Sequence, residues 1–265
     1  MKLFRKSLSV VLAALMLLTV FSVAAFAADT DVTVFLRVEG IKKNLFYDNV
    51  TVSDGATVAD VLNAAAAADE SFTVVIGTGD YGLFLTEING EVNGSMTENG
   101  WDGWQYRING VGGMGVGYDT VKDGDSILFY YADEWGDNGF AYPQIDVSAL
   151  NDKGELTFTV TEGSYAEDGT YTETEAALTG YTLYWDGKAV TPDENGVAKI
   201  SAAGMKKGDH SVQIEKTAKN GLPLVLRFAP DYTVKTEMSF FARVGLFFSR
   251  LIETVKGFFA NLTKK

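Results

Sequence analysis

The 265-residue chain has no cysteine, one histidine (His210) and four prolines. Without cysteine it forms no disulfide, no thiolate metal site and no thioether-linked lipid anchor. With one histidine it builds no multi-histidine zinc centre, and any Ser-His-Asp set has to use His210. That residue falls in "KKGDHS", which reads as an exposed turn, and no G-x-S-x-G elbow accompanies it. Basic charge is scarce too: 22 Lys and Arg face 35 Asp and Glu, a net −13. The last 27 residues hold five basic side chains and one acidic, and the first 27 hold three basic ones. The stretch from 28 to 238 is therefore close to −20. A body that acidic repels polyanions, which excludes nucleic acid as its partner.

What is present divides the chain. Residues 1–27 combine Lys2, Arg5 and Lys6, an apolar run from Leu8 to about Phe21, and "VAAFA" with Ala25 and Ala27 at the small-residue positions. This is the pattern of a secretory signal peptide and predicts an exported bacterial protein. Residues 28–142 form a first unit. "TVFLRVEG" and "LFYDNV" read as strands. "TVADVLNAAAAADE" reads as a helix capped by Thr57, with Asp60 closing a capping box and Val58, Val61, Leu62 and Ala65 on one face. "FTVVI", "GLFLTEING", "WQYRING" and "SILFYYA" are further strands, so a sheet wraps around one helix. Residues 143–236 show turn-punctuated strands, including "ELTFTVTEG", "GYTLYWDG", "GVAKISA", "HSVQIEK" and "LVLRFA", and predict a small immunoglobulin-like β-sandwich. The expected fold class is mainly β, with an α+β first domain.

Residues 237–265 change character. Phe240, Phe247, Phe248, Leu251, Phe258 and Phe259 recur at helical spacing, interrupted by Arg243, Arg250, Glu253 and Lys256. This is a basic amphipathic helix, too charged to span a bilayer. Its expected place is an anionic membrane surface, which would hold the protein at the cell surface; docking on the acidic body or on a second copy is the competing reading.

Several motifs are weighed and set aside. Gly110-Val-Gly112-Gly113-Met-Gly115 satisfies G-x-G-x-x-G, but no helix follows, so a nucleotide site is excluded. Asp133 and Glu134 in "YADEWGDNG" are the best carboxylate pair. They read as a solvated loop after the last strand rather than an acid–base pair. Calcium held by Asp133, Asp137 and Asn138 lacks the ligand spacing of a dedicated loop. The aromatic stretch from Asn99 to Tyr131 carries more. Trp101, Tyr118 and the Gly112–Gly117 loop fall at strand ends, where rings beside a mobile glycine loop suit a flat ligand. For Trp104 and Tyr106 a place in the core is at least as good a reading.

Within that stretch, "GWDGWQYRINGVGGMGVGYDTVKDGDSILFYY" resembles the transcobalamin-like C-terminal domain family. The family's strand and turn, G-W-x-Y-x-(V/I)-N-G, is matched by Gly103, Trp104, Tyr106, Ile108, Asn109 and Gly110. Its second segment, (L/V)-x-D-G-D-x-I-x-(W/F)-x-Y, is matched by Val121, Asp123, Gly124, Asp125, Ile127, Phe129 and Tyr131. "VEG" and "TVADVLNAA" fit the family's opening strand and helix, so the resemblance covers about residues 30–135. It implies a β-grasp-like fold. It also implies, by analogy with the animal carriers in which this domain closes over one face of a corrinoid, cobalamin as ligand. The carriers' large helical domain has no counterpart here. The ligand-binding residues expected are Trp101, Trp104, Tyr106, Asn109, Gly112, Gly113 and Tyr118. No catalytic residue, metal or cofactor is assigned. The competing function is a surface adhesion or scaffold protein binding proteins or glycans.

Overall fold

The computed structural model describes residues 30–80, 82–134, 136, 138–148, 155–201 and 208–236. The expected signal peptide, the amphipathic tail, Trp135 and Asp137 lie outside the described residues. Within them the chain is mainly β, with several sheets and a single helix.

The first unit is built on strict alternation. In β1 (Asp31–Glu39), Val32, Val34, Leu36 and Val38 point to one face and are buried. β1 pairs antiparallel with β2 (Asn44–Ser53) and parallel with β8 (Ser126–Ala132). β8 pairs antiparallel with β6 (Gly103–Ile108), which turns into the short β7 (Val111–Gly112). The sheet order is β2-β1-β8-β6-β7. Its inner face, with Trp104, Ile127, Phe129 and Tyr131, packs against α1 (Val58–Ala68) through Val58, Val61, Leu62 and Ala65. The capping box forms as expected: Asp60 N donates to Thr57 Oγ1 at 3.3 Å and Thr57 N donates to Asp60 Oδ2 at 2.8 Å. Such a cap stabilises a helix by about 1 kcal/mol. A separate sheet of β3 (Val74–Gly79), β4 (Gly82–Ile88) and β5 (Glu91–Val92) closes the same core with Leu85 and Ile88.

In the second unit, one sheet joins β9 (Gln144–Val147), β10 (Glu155–Tyr165), β11 (Tyr171–Ala177) and β14 (Val197–Ser201). The other orders β13 (Lys188–Val190), β12 (Thr182–Trp185), β15 (Gly208–Glu215) and β16 (Thr233–Thr236). Phe158, Val160, Leu183, Trp185, Val212 and Ile214 from both sheets share one core.

Two expectations change here. "LVLRFA" (224–229) joins neither sheet as a strand; within it only an isolated bridge pairs Val225 with Ala141. It runs between the units: Leu224 N donates to Lys216 O and Val225 and Phe228 lie in the second core, while Arg227 reaches the first unit. Arg227 N donates to Glu39 Oε1 at 2.8 Å, the Arg227 guanidinium donates to the carbonyls of Gly40 and Ile41, and nearby Leu222 is buried in the first core. His210, expected on an exposed turn, lies in β15 and is only 5% exposed. Its ring stacks on Trp185 with centroids 4.4 Å apart, because strand alternation turns it inward with Val212 and Ile214.

The outer face of the first sheet is also covered. Leu128, Tyr130 and Ala132 from β8 meet Phe140, Tyr142, Tyr165 and Tyr171 in a third apolar cluster. The sheet is thus packed between its helix and the second unit.

Candidate functional site

The residues that carry the family resemblance form a frame. Asn109 adopts a left-handed backbone (φ 51°) at the turn after β6. Its Nδ2 donates to Asp125 Oδ1 at 2.8 Å, and its Oδ1 accepts from Ser126 N at 2.9 Å. Asp125 also accepts from Lys122 N, and Asp123 Oδ1 accepts from Thr33 N. The D-G-D turn thereby sets the start of β8 beside β1. Asn109 is spent on this lock. Trp104 is a core residue: its ring meets Tyr131 edge-on and its Nε1 donates to Glu91 O at 2.8 Å. Burial removes it from any exposed ligand surface.

Asp102, which the sequence reading passed over, organises the turn carrying Trp101. Its carboxylate accepts from Met96 N (2.9 Å), Thr97 N (2.8 Å), Thr97 Oγ1 and Tyr131 Oη (2.6 Å). Burial raises its pKa, but donors from the Thr97 hydroxyl, Tyr131 and the two amides outweigh that and hold it below the ordinary carboxylate range. The available signal was an aspartate between two turn glycines after a run of Ser, Thr and Asn.

The glycine loop is pinned rather than mobile. Met114 N donates to Asp119 Oδ2 at 2.7 Å, and Tyr106 Oη donates to the same oxygen at 2.5 Å while accepting from Gly115 N at 2.9 Å. Burial, reinforced by the bond to Asp119, pushes the Tyr106 phenol well above its ordinary pKa and keeps it a donor. Its ring stacks on Phe129, and Gly113 lies so close against it that an added Cβ would stand 2.0 Å from Cζ. Gly113 is therefore a packing residue. Gly112 is open, and only the Arg107 guanidinium comes near it. The loop then returns over the helix start, where Val58 N and Ala59 N donate to Asp119 O and Val116 O.

This framework leaves specific apolar groups outside. The large exposed hydrophobic side chains among the described residues are Val75, Leu83, Phe84, Val92, Trp101, Val111, Met114 and Tyr118. All belong to the first unit, between residues 75 and 118. They divide into two groups. Tyr118 (65% exposed) lies across Gly82, Leu83 lies against Gly117, and Phe84 covers Gly77 and Gly79, so the β3–β4 hairpin and the glycine loop share an apolar edge. Met114, 91% exposed, projects from the same loop. Trp101 (63% exposed) precedes β6, whereas the loop follows it. Six residues of strand, about 17 Å, separate the ends. The structure packs Gly113 on Tyr106 and Tyr118 against Gly82 and Gly115, turns Gly112 toward Arg107 on the other face of the sheet, and places Trp101 at the opposite end of β6.

The carboxylates after β8 are not solvated as expected. Asp133 is fully buried; its Oδ2 accepts from Asn138 Nδ2 at 2.8 Å, and its Oδ1 has no hydrogen-bond partner among the described residues. Glu134 pairs with Arg107 at 2.9 Å and accepts from the hydroxyls of Tyr130 and Tyr142. Arg107 lies over the rings of Tyr142 and Tyr165, each centroid about 5 Å away. These groups join the two units. In the second unit, His210 Nδ1 donates to Asp186 Oδ2 at 2.7 Å, and Nε2 is 3.1 Å from Thr236 Oγ1. The bond from His210 holds the Asp186 carboxyl below its usual range. The arrangement has the order of an acid–histidine–hydroxyl relay, but Thr236 is buried and offers no attacking oxygen to a substrate. Among the described residues no group of three or more His, Cys, Asp or Glu is arranged to hold a metal ion. No described helix is long and apolar enough to cross a membrane.

Comparison with known proteins places the match on the first unit. Residues 55–133 match the family model described as a domain of unknown function, DUF4430. No curated protein matches the sequence. Among solved structures, haptocorrin in complex with Cbi is similar at 20% identity, over 39% of this chain and 25% of that one, with a TM-score of 0.35. The similarity thus spans about a quarter of the haptocorrin chain.

Proposed function

We propose that this chain is an exported, non-catalytic bacterial binding protein whose first unit takes a small ligand, with cobalamin or another corrinoid as the candidate. On this reading the first unit is β-grasp-like, the second is an immunoglobulin-like spacer, and the phenylalanine-rich tail keeps the protein at the cell surface. One observation carries the ligand site: among the described residues the exposed large apolar side chains all fall within residues 75–118, and Leu83, Phe84, Met114 and Tyr118 share one edge there. Exposed apolar groups gathered on one part of a rigid frame mark a binding surface. The family resemblance supplies the corrinoid. Tyr118, Leu83, Phe84 and Met114 would stack on or cover the flat face. Trp101 would reach only a ligand long enough to follow β6.

Titration of cobalamin and cobinamide into the purified protein, followed by absorbance and heat, tests this. Saturable binding weakened about tenfold or more in Tyr118→Ala, equivalent to roughly 1.4 kcal/mol, supports it. Absence of binding at tens of micromolar corrinoid by folded protein would overturn it and favour the adhesion or scaffold role, in which the same edge contacts a protein.

A further inference from the structure

On the other face of the first sheet, a cleft of about 280 Å³ opens between the two units. Strand register builds its base. Tyr47, Arg37, Leu128 and Arg107 stand side by side on β2, β1, β8 and β6, and Phe35 and Ser126 make the next row. At about 4.8 Å per strand, the two arginines flank Leu128 at roughly 10 Å from each other. Tyr165 closes one side from β10, and Ala229 contributes from the strap that crosses between the units. The cleft therefore has an apolar floor (Leu128, Phe35), ring walls (Tyr47, Tyr165) and guanidinium donors on two edges.

Both arginines are held by the fold. Arg37 donates to Glu39 and to the carbonyls of Arg227 and Phe228, and Arg107 donates to Glu134, Tyr142 and Gly110 O. Each has a carboxylate partner, at 2.5 Å and 2.9 Å. They line the cleft as oriented donors, each bonded to a carboxylate, with Asp231 accepting from the Tyr47 hydroxyl at its rim, in a body of strongly negative net charge. That combination disfavours an anion. It favours a neutral ring with one apolar face and oxygen acceptors along its edges.

We infer that this cleft is a saccharide subsite, sized for one or two sugar rings. The ring face lies on Leu128 and Phe35 between the tyrosines, and hydroxyl oxygens accept from Arg37 and Arg107. The site is independent of the corrinoid reading, since Tyr118 and the glycine loop lie on the helix side of the sheet.

The test is titration of the full chain with cellobiose, chitobiose and maltose, and with benzoate as an aromatic carboxylate, read by saturation-transfer NMR and heat. Ser126→Trp fills the floor from an exposed position; Phe35→Ala removes part of the floor should the first variant lose its fold. At least one sugar is expected to saturate below about 10 mM, with tenfold weaker binding in the folded variant. Corrinoid titration of the same variant should be unchanged, which separates this site from the other. No sugar saturating, benzoate alone binding, or sugar binding unaffected by a folded variant would each overturn the inference.

Discussion

Asp102 shows how one carboxylate sets the geometry of a surface. Four donors converge on it, so the Met96–Asp102 turn is fixed to Tyr131 at the end of β8. Because these donors favour the ionised form, its pKa is lower folded than unfolded. Its contribution is fully present above the unfolded value of about 4 and is lost as pH falls through the folded value. Asp102→Asn removes acceptor capacity from a buried site and should cost about 3 kcal/mol at neutral pH. Denaturant unfolding should show the gap between wild type and variant constant from about pH 7 to about pH 5 and narrowing below about pH 4. An unchanged gap would contradict the role assigned to the ionised carboxylate. The residue was visible in the sequence only as part of a turn, since burial and convergence of donors from 96, 97 and 131 are properties of the folded arrangement.

At the scale of elements, the glycine loop illustrates a short segment made rigid by what lies beneath it. Tyr106 is held by Phe129 on one side and Asp119 at its hydroxyl, so its ring cannot yield to a side chain at position 113. Gly113→Ala is expected to destabilise by about 1–3 kcal/mol through overpacking, whereas Gly112→Ala should be close to neutral. Thermal melting of the two variants decides this, and equal effects would refute the packing role of Gly113. The helix and most strands were legible because the capping box and the apolar period of two leave a local mark. Trp104 was ambiguous because "GWQYRI" alternates without indicating which face meets the core. Pairing with β8 resolves it, since Trp104, Tyr106 and Ile108 stand opposite Tyr131, Phe129 and Ile127.

Across the whole molecule, the segment around residues 218–228 ties the units together. Leu222 completes the first core, Asn220 Nδ2 donates to Met96 O at 2.6 Å, and Arg227 shares Glu39 with Arg37. Together with Arg107, Glu134, Tyr130 and Tyr142, these contacts couple the outer face of the first sheet to the second unit. Leu222→Ala should destabilise the first core by about 2–5 kcal/mol although the residue lies far along the chain. Hydrogen exchange at Val34 and Leu36 should register that loss. A change confined to residues 216–230 would show that the strap is peripheral.

The sequence alone determined a mainly β protein with one capped helix, a β-rich second unit and a characteristic W-Q-Y-R-I-N-G and D-G-D framework. Each rests on interactions a few residues apart or on a simple period, so local pattern suffices. Only the tertiary structure decided that His210, Asp133, Asp102 and Trp104 are buried, that "LVLRFA" bridges the two units, and that Arg37 and Arg107 stand in one row across a cleft. Those outcomes depend on which strand lies beside which, and on groups up to 191 residues apart, as between Arg37 and Phe228. Composition and spacing carry no record of such distances; packing and hydrogen-bond satisfaction in the folded chain select them.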